Sequence, residues 1–530
     1  MKVHPVLLLL LQAACGVVLA LPLSHLDSSW PAWFALAPVL FCVARAESHR
    51  MALLESAVFA LSWTLTAFWF LAPLTPPGMV ALCIYTSLYY IAALMAIRHM
   101  ARISVWRAVF GTAAVWTLIE IIRSVVPIFA FPWLLMGHSL VYHEQFRQGA
   151  DLLGVYGLSF LIVLVNAWLA FVLPEYRKQG AHSPRLLHAI SASIAALVLA
   201  AFVYGELRIR ELSPLLKKGP PIAVIQGNIR QKLGRTSEEM ERQLHGHLEM
   251  HRQIISQAKA SGELPVLICW AETMVPGSMN YDDWGKLFKA QVAIGGIPTL
   301  AGSNFTEFDP VTKLRLDYNS AYLLNDKGEE VFHYFKRRLV PFGEYNPFPS
   351  LSFLGSITRD QYIPGTKPSP VETIPLEGGE NSFMAAINIC VEDIHPDLAR
   401  EAVSAGADVL LNITNDGWFY ETFGPRAHLK AAALRAVEVR RPLVRVTNTG
   451  ITAAIDPLGR IEAVLPELTA GTATLRFQRL DRAAPVTLSL VLGELGPALL
   501  FFGIFCGCMI RRKETTQESA RQGVAGSPAV

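Results

Sequence analysis

The sequence has few charged residues, and they are unevenly distributed. Only 17% of its 530 residues are charged, whereas an ordinary soluble domain has about 25%. The deficit lies in residues 1–205, which contain long apolar runs, while residues 219–480 have a soluble-type composition. The net charge is only +3 and the second region contains no Lys/Arg block. This composition predicts a membrane protein and argues against nucleic-acid binding.

Cysteine is also scarce in the region of soluble-type composition. Five of the seven cysteines lie in apolar stretches, and only Cys269 and Cys390 fall in the soluble-type region, with no CxxC pair between them. This excludes a disulfide framework and a zinc ribbon. Cys269 lies inside an apolar run and is interpreted as a core residue. Cys390 is an unpaired thiol that needs a chemical explanation.

Apolar runs of helix length predict a multi-span membrane region. A bilayer core of about 30 Å needs about 20 apolar residues in a helix. The candidate spans lie near residues 5–23, 30–44, 52–72, 79–97, 106–126, 152–173, 186–205 and 484–510. We interpret the first run as a retained anchor rather than a signal peptide, because six further spans follow it.

Basic residues are concentrated in alternate loops between these spans. The basic loops contain Lys2, Arg45, Arg50, Arg98, Arg102, Arg107, Arg177, Lys178, Arg185, Arg511, Arg512 and Lys513. The opposite loops, near residues 24–29, 73–78 and 127–151, contain only Arg147. The basic loops are therefore expected to be cytoplasmic. The region 219–480 should then lie outside the cytoplasm, which in a two-membrane bacterium is the periplasm.

The predicted organisation has four parts. Residues 1–210 form a transmembrane domain of about seven helices, and residues 219–480 form an extracytoplasmic domain. Residues 484–510 form a C-terminal transmembrane helix, and residues 511–530 form a cytoplasmic tail that is polar and rich in small residues.

Short β-type runs alternate with helical patterns in residues 219–480, which predicts an α/β domain with sheets covered by helices. The predicted strands are 221–228, 266–270, 299–303, 319–325, 383–390, 409–413 and 443–447. A helix at 237–260 begins with the capping-box pattern of Thr236 and Glu239. Further helices are predicted from Pro396 to Gly406 and from Pro425 to Arg440.

Glu120 and Arg123 share one face of the fifth predicted span, because they are three residues apart. Ionisable groups at membrane depth are costly and often functional. One interpretation is a self-neutralising pair near the outer interface. The alternative is contact with a phospholipid headgroup.

Three segments carry polar residues at the ends of predicted strands. Glu272 follows an apolar strand, Lys336 ends another, and Cys390 ends a third. These residues lie in VLICWAETMVP at 266–276, YFKRRLVPFGEYNP at 334–347 and AINICVEDIHP at 386–396. Strand ends are typical positions for catalytic side chains, because the sheet fixes their geometry.

Together these residue types suit acyl transfer through a thiol. Cys390 lies near a predicted helix N-terminus, whose dipole favours a thiolate nucleophile. Glu272 can accept the thiol proton and return it to a leaving group. Lys336 can stabilise the oxyanion. Taken singly, each residue also has a purely structural interpretation. Cys390 could be a buried thiol in the core, Glu272 a helix cap and Lys336 a solvated surface charge.

These segments resemble the nitrilase superfamily, whose fold is an α-β-β-α sandwich and whose catalytic set is Glu, Lys and Cys. The whole chain resembles one family within it, the apolipoprotein N-acyltransferases. The matching segments are QGNI at 226–229, AET at 271–273, KRRLVPFGEYNP at 336–347, NICVED at 388–393, LNITNDGWF at 411–419, the run from Gly424 to Ala453, and the turn at 456–459.

The resemblance implies Glu272 as general base, Lys336 as oxyanion partner and Cys390 as nucleophile. It implies that Glu344 positions the lysine and the nucleophile, and that Glu392 is a supporting carboxylate. The implied acyl donor is a phospholipid and the acceptor is a diacylglyceryl apolipoprotein, with no cofactor or metal. The chain departs from the family pattern at Val391, where tyrosine is usual, and at 230–236, which lacks the usual tryptophan. Both departures bear on the lipid-facing pocket.

Three other functions each fit part of the sequence. The same trio hydrolyses amides when water attacks the thioester, so a membrane-tethered amide hydrolase is the nearest alternative. A transporter would need functional charges in several spans, and only Glu120 and Arg123 qualify. A metal site is suggested by His247 and His251, four residues apart, but no third ligand has a known zinc spacing. We interpret these two histidines as part of a solvated helix face.

Overall fold

The computed structural model describes residues 4–126, 129–177, 183–232, 234–348, 350, 361–369, 371–374, 383–481 and 485–509. The predicted tail at 511–530 lies outside these residues. The first part of the chain is helical. Its helices are α1 (Pro5–Ala20), α2 (Ala37–Arg45), α3 (His49–Ala67), α4 (Pro76–Ala101), α5 (Val105–Val125), α6 (Glu144–Arg147), α7 (Ala150–Phe171) and α8 (Pro184–Leu212).

Each predicted span coincides with a helix, but the helices differ in length and apolarity. Among the described residues, five helical stretches are long and apolar enough to cross a membrane: Pro5–Leu23, Pro76–Ala101, Val105–Val125, Ala150–Arg177 and Pro184–Leu215. The other three predicted spans correspond to shorter or less apolar helices, namely α2, α3 and a C-terminal helix at Leu495–Met509.

The second part of the chain contains two six-stranded sheets. The first has the strand order β12-β1-β2-β3-β4-β5 and the second has the order β11-β10-β9-β8-β7-β6. Their strands are β1 (Lys217–Gln226), β2 (Leu267–Trp270), β3 (Thr299–Phe308), β4 (Arg315–Leu324), β5 (Glu330–Phe335), β6 (Val371–Ile374), β7 (Phe383–Ile389), β8 (Val409–Thr414), β9 (Leu443–Thr447), β10 (Thr452–Ile455), β11 (Ile461–Leu465) and β12 (Gly471–Arg479).

Helices cover both sheets, which confirms the predicted α-β-β-α sandwich. The first sheet packs against α9 (Ser237–Ser261), which is followed in the chain by α10 (Asp283–Gly295). The second sheet packs against α12 (Gly424–Val439), which follows α11 (Pro396–Ser404) in the chain. The chain ends with α13 (Leu488–Leu492) and α14 (Leu495–Met509).

The capping box at the start of α9 is present, with Glu239 N donating to Thr236 Oγ1 and Thr236 N donating to Glu239 Oε2. All seven predicted strands are present, and several are longer than predicted. Helix α10 and strands β6 and β12 were not among the predicted elements.

The prediction of a solvated face for His247 and His251 is wrong. Both side chains are fully buried, and both rings contact the Trp270 indole of β2. Trp270 Nε1 donates to His251 Nδ1 at 3.3 Å. Burial lowers the pKa of both imidazoles to about 4, so both are neutral core residues.

Helix α7 is broken near its start rather than continuous. Leu153 is non-helical and Gly154 has φ of +62°, a left-handed conformation that favours glycine. The break leaves backbone N–H groups without helical partners. Glu438, at the end of α12, accepts a hydrogen bond from Val155 N at 2.8 Å. A carboxylate of the sandwich domain therefore caps the second segment of a membrane helix.

Arg440 connects the same two parts of the chain. Its side chain is 1% exposed. Its guanidinium donates to Asp151 Oδ2 at 2.7 Å, to Gln148 Oε1 at 2.7 Å and to the carbonyl of Pro457 at 2.9 Å. A planar group with several fixed donors suits this arrangement of acceptors. The sandwich domain is thus joined to the helical part by buried polar contacts.

Replacing Arg440 should weaken this junction strongly. Arg440→Met removes one of the two cationic partners of Asp151, which keeps Arg208 and Tyr204. It also leaves the buried acceptors of Gln148 and Pro457 without their donor, and such a loss costs about 1–3 kcal/mol. We expect a clear drop in the thermal unfolding midpoint of the detergent-solubilised protein. The control is Arg210→Met, because Arg210 is 74% exposed and pairs with Glu206 on the surface of α8; its cost should be below about 0.5 kcal/mol. Equal effects of both variants would contradict a structural role for Arg440.

Candidate active site

Three strand ends converge on one cavity. Glu272 follows β2, Lys336 follows β5 and Cys390 follows β7, and all three side chains line a cavity of about 350 Å³. All three are at least nine-tenths buried. The structure therefore brings the predicted trio together from both sheets, because β2 and β5 belong to the first sheet and β7 to the second.

Lys336 is the cation at the centre of this group. It is 1% exposed, and its Nζ lies 3.2 Å from Glu272 Oε1 and 2.8 Å from Glu344 Oε1. Burial opposes the charge of Lys336, but Cys390 in its thiolate form and the carboxylates of Glu272 and Glu344 outweigh it and raise the pKa of the lysine well above its ordinary value. The ammonium group is therefore permanently charged at neutral pH.

Glu272 is held on both oxygens. Its Oε1 accepts from Lys336 and from Asn319 Nδ2 at 2.7 Å, and its Oε2 accepts from the backbone N–H of Asn415 at 2.8 Å. Strand β3 passes very close to it: a Cβ on Gly302 would lie 2.6 Å from the Glu272 Cα. Glycine at this position lets the neighbouring strand support the carboxylate without a clash.

Cys390 has an unusual backbone conformation. Its φ is +54°, in the left-handed region that non-glycine residues rarely adopt. The side-chain amide of Asn412 donates to its carbonyl at 2.9 Å. Such strained positions persist only when the surroundings enforce them, and they are frequent at active sites. Here the conformation directs the chain from β7 into a short turn at Cys390–Ile394.

The expectation that a helix dipole favours a thiolate at Cys390 is wrong. Helix α11 begins only at Pro396, six residues further on. Burial, reinforced by the charge of Glu272 and opposed by Lys336, raises the pKa of the Cys390 thiol well above its ordinary value. The resting residue is therefore a neutral thiol, and its activation requires a base.

The two supporting glutamates occupy different places. Glu344 contacts the catalytic group directly, because its Oε1 accepts from Lys336 and from Asn319 Nδ2 while its Oε2 accepts from Val340 N at 2.8 Å. Glu392 lies beneath the nucleophile turn. Its Oε2 accepts from Ile389 N at 2.8 Å, so it fixes the strand end that precedes Cys390.

Glu392 also fixes the segment that follows Lys336. Its Oε1 accepts from Tyr334 Oη at 2.9 Å and from the backbone N–H groups of Arg337 at 2.7 Å and Arg338 at 3.2 Å. One carboxylate thus holds the lysine strand and the cysteine strand at a fixed separation.

Sequence reasoning missed several residues of the site. Asn319 bridges the two glutamates, and Asn415 supplies a backbone donor to Glu272. His395 lines the cavity, and burial lowers its pKa to about 4. Asn415 lies in the matched segment 411–419, but the segment gave no indication of its contact with Glu272.

A fully buried ionic network underlies the nucleophile turn. His428 Nε2 lies 2.7 Å from Asp393 Oδ1, and its Nδ1 lies 2.9 Å from Asp416 Oδ1. Arg445 also bonds both aspartates. Burial and the Arg445 charge oppose protonation of the imidazole, but the aspartates raise the pKa of His428 above its ordinary value. This network ties the turn after Cys390 to the turn after Asn415.

The cavity wall is mostly apolar and comes from both parts of the chain. The sandwich domain contributes Val340, Phe342, Val391 and Phe419, among others. The helical part contributes Leu71, Leu74, Thr75, Gly78, Met79, Ala81, Leu82, Tyr85, Phe129, Ala130, Phe131 and Trp133. Val391, at the position where the family usually has tyrosine, does line the cavity. None of the described residues of 230–236 does so.

Fold and site together define a carbon–nitrogen hydrolase domain of the nitrilase type built onto a bundle of membrane helices. Residues 221–484 match the family described as carbon-nitrogen hydrolase, and residues 15–168 match the apolipoprotein N-acyltransferase N-terminal domain. The chain belongs to the apolipoprotein N-acyltransferase family.

Individual relatives cover most of the chain. The apolipoprotein N-acyltransferase of Bordetella bronchiseptica is 30% identical over 89% of this chain and 92% of its own length. That of Geobacter metallireducens is 29% identical over 86% of this chain and 87% of its own length. Among solved structures, an amidase from Nesterenkonia sp. is 19% identical, covers 50% of this chain and 92% of that chain, and has a TM-score of 0.35.

The raised pKa of Cys390 predicts the pH dependence of its reaction with a neutral alkylating agent. Only the thiolate reacts, so the rate with iodoacetamide should rise by about tenfold per pH unit and still be rising above about pH 9. Mass spectrometry of the modified peptide measures this rate, and Cys390→Ala corrects for the other thiols. A rate that levels off below neutral pH would mean that Cys390 rests as a thiolate.

Proposed function

We propose that this protein transfers an acyl chain from a phospholipid to the N-terminal amine of a diacylglyceryl apolipoprotein through a thioester on Cys390. One observation carries the proposal: the Glu272, Lys336 and Cys390 side chains lie in a cavity whose other wall consists of apolar side chains from membrane helices. Such a cavity admits a lipid acyl chain directly from the bilayer to the thiol, without passage through water.

In the first half-reaction, Cys390 Sγ attacks the ester carbonyl carbon of the phospholipid. Glu272 removes the thiol proton, which the raised pKa of the thiol makes necessary. The ammonium group of Lys336 stabilises the negative charge that develops on the carbonyl oxygen. As the carbon–oxygen ester bond breaks, Glu272 returns the proton to the leaving alkoxide. The products are a lysophospholipid and an acyl thioester of Cys390.

In the second half-reaction, the neutral α-amino group of the diacylglyceryl-cysteine attacks the thioester carbonyl. Lys336 again stabilises the oxyanion. Glu272 accepts a proton from the attacking nitrogen and transfers it to the departing Cys390 sulfur. An amide forms, the carbon–sulfur bond breaks and the free thiol is regenerated. One nucleophile serves two substrates in turn, so the kinetics should be ping-pong.

Glu344 and Glu392 support this chemistry by position. Glu344 shares Lys336 and Asn319 with Glu272, so it keeps the ammonium group beside the base. Glu392 holds the chain on either side of the reacting pair. We assign neither of them a proton-transfer step.

The arrangement of the two parts supports a location in the bacterial inner membrane with the catalytic domain in the periplasm. The sandwich domain packs on the loops in which Arg147 is the single basic residue: Lys430 Nζ, for example, donates to the carbonyls of Pro22 and Leu26. The Arg45–Glu175 ion pair belongs to the opposite, basic loops. The positive-inside rule then assigns the basic side to the cytoplasm.

Amide hydrolysis remains the alternative reaction of the same trio, and it requires water to reach the thioester. The aromatic and aliphatic side chains that surround Cys390, including Val391, Ile394 and Phe419, favour an acyl chain over bulk water at this position. We therefore favour transfer to an amine over transfer to water.

The decisive experiment traps the intermediate. Purified protein is incubated with phospholipid alone and weighed intact by mass spectrometry. We expect a mass gain of one acyl chain on the wild type and none on Cys390→Ala. A diacylglyceryl peptide should then discharge the acyl group onto its amine. Absence of any adduct, with release of free fatty acid instead, would favour the hydrolase.

Replacing Lys336 should separate binding from chemistry. In Lys336→Met the oxyanion loses its charged partner, so acyl-enzyme formation should slow by about 10²–10³-fold. The slower rate should appear in the single-turnover rate constant at saturating phospholipid. The comparison variant is Lys289→Met, because Lys289 is a surface cation that pairs with Glu330. If Lys336→Met reacts at the wild-type rate, Lys336 does not stabilise the oxyanion.

A further inference from the structure

Two charged side chains inside a membrane helix bond to the backbone of the segment that follows that helix. Arg123 of α5 donates from Nη1 to the carbonyl of Phe131 and from Nη2 to the carbonyl of Trp133, both at 3.0 Å. Glu120 Oε1 accepts from the backbone N–H of Met136 at 2.9 Å. Glu120 is fully buried and Arg123 is 1% exposed.

These contacts bear on the two interpretations drawn from the sequence. The charges of Glu120 and Arg123 attract each other, as a self-neutralising pair requires, and both groups also bond to backbone groups of residues 131–136. Contact with a phospholipid headgroup would require an exposed cation, and Arg123 is buried. The headgroup interpretation is therefore wrong, and the pair has a structural role beyond mutual neutralisation.

The segment needs such partners because its backbone is irregular. Residues 129–135 are neither helix nor strand. Away from water, irregular backbone among membrane helices must have its carbonyl and N–H groups satisfied by the protein itself. A planar guanidinium can serve two carbonyls at once, and a carboxylate can serve an N–H group. Phe131 N also donates to the Arg123 carbonyl at 3.0 Å, which fixes the start of the segment.

The same segment forms the membrane-side wall of the active-site cavity. Phe129, Ala130, Phe131 and Trp133 all line it. The Phe131 ring lies 5.4 Å from the Phe68 ring. The Trp133 ring lies 5.7 Å from Phe419 and 5.0 Å from His428 of the sandwich domain. A shift of this backbone would therefore change the shape of the cavity opposite Cys390.

We infer that Glu120 and Arg123 are positioning residues that set the acyl-chain selectivity of the enzyme by fixing the aromatic wall at residues 129–133. They act through the backbone of that wall and do not touch the substrate. This inference rests on the proposed acyltransferase function, because it concerns the acyl chain that enters the cavity.

The test measures a ratio that the amount of correctly folded protein does not affect. Acyl-enzyme formation is followed by intact mass with phosphatidylethanolamines whose acyl chains range from about 12 to 18 carbons. The ratio of rates is taken for the pair of chain lengths that the wild type distinguishes best. In Arg123→Met and Glu120→Ala we expect this ratio to fall by at least about threefold and so to approach one, because the substituted side chain no longer fixes the backbone of residues 129–133.

Two further variants make the comparison specific. Glu120→Gln keeps an oxygen that can accept from Met136 N, so its ratio should stay close to that of the wild type. Arg45→Met removes a charge from the opposite end of the helical bundle, where Arg45 pairs with Glu175. Neither residue lines the cavity, so this variant should leave the ratio unchanged. If Arg123→Met does not fold, Arg123→Lys replaces it, because a single ammonium group cannot reproduce the planar fork that serves both carbonyls.

The outcomes distinguish the inference from the proposed function. If the wild type forms no acyl adduct with any chain length, the proposed function fails. If it forms adducts but does not distinguish chain lengths, or if the variants lose rate equally for all chains, the inference fails and the two residues only stabilise the fold. A changed ratio in Arg123→Met and Glu120→Ala, with recovery in Glu120→Gln, supports it.

Discussion

The ion pairs of Lys336 with Glu272 and Glu344 are the interaction on which the rest of the site depends. A buried ammonium group is tolerable only when carboxylates surround it, and here two of them do so within 3.2 Å. Each carboxylate is in turn held by donors from other strands and loops. The need to compensate one buried charge therefore fixes the relative positions of β2, β4, β5 and the loops that follow β5 and β8.

This arrangement assigns separate tasks to the two parts of the protein. The sandwich domain supplies the charged side chains and Cys390, while the membrane helices supply much of the apolar wall opposite them. Neither part forms the cavity alone. The buried contacts of Arg440 and Lys430 keep the two halves of the cavity together. The junction between the two parts therefore maintains the shape of the cavity as well as the fold.

Much of the fold, and the meeting of Glu272, Lys336 and Cys390 in one cavity, were predictable from the sequence, because both depend on local patterns. Apolar runs predicted the membrane helices, and strand ends predicted the positions of Glu272, Lys336 and Cys390. The burial of His247 beside Trp270 and the bridging role of Asn319 were not predictable, because each depends on a partner that is distant in the chain. The contacts of Arg123 with backbone carbonyls likewise leave no pattern in the sequence.

The break in α7 has a consequence for the order of assembly. The group that caps Val155 is Glu438, 283 residues further along the chain. Synthesis proceeds from the N-terminus, so α7 is made long before its capping carboxylate exists. The cap on the second segment of α7 can therefore form only after the sandwich domain has been synthesised and has packed against the helices. Until then the break in α7 lacks this acceptor.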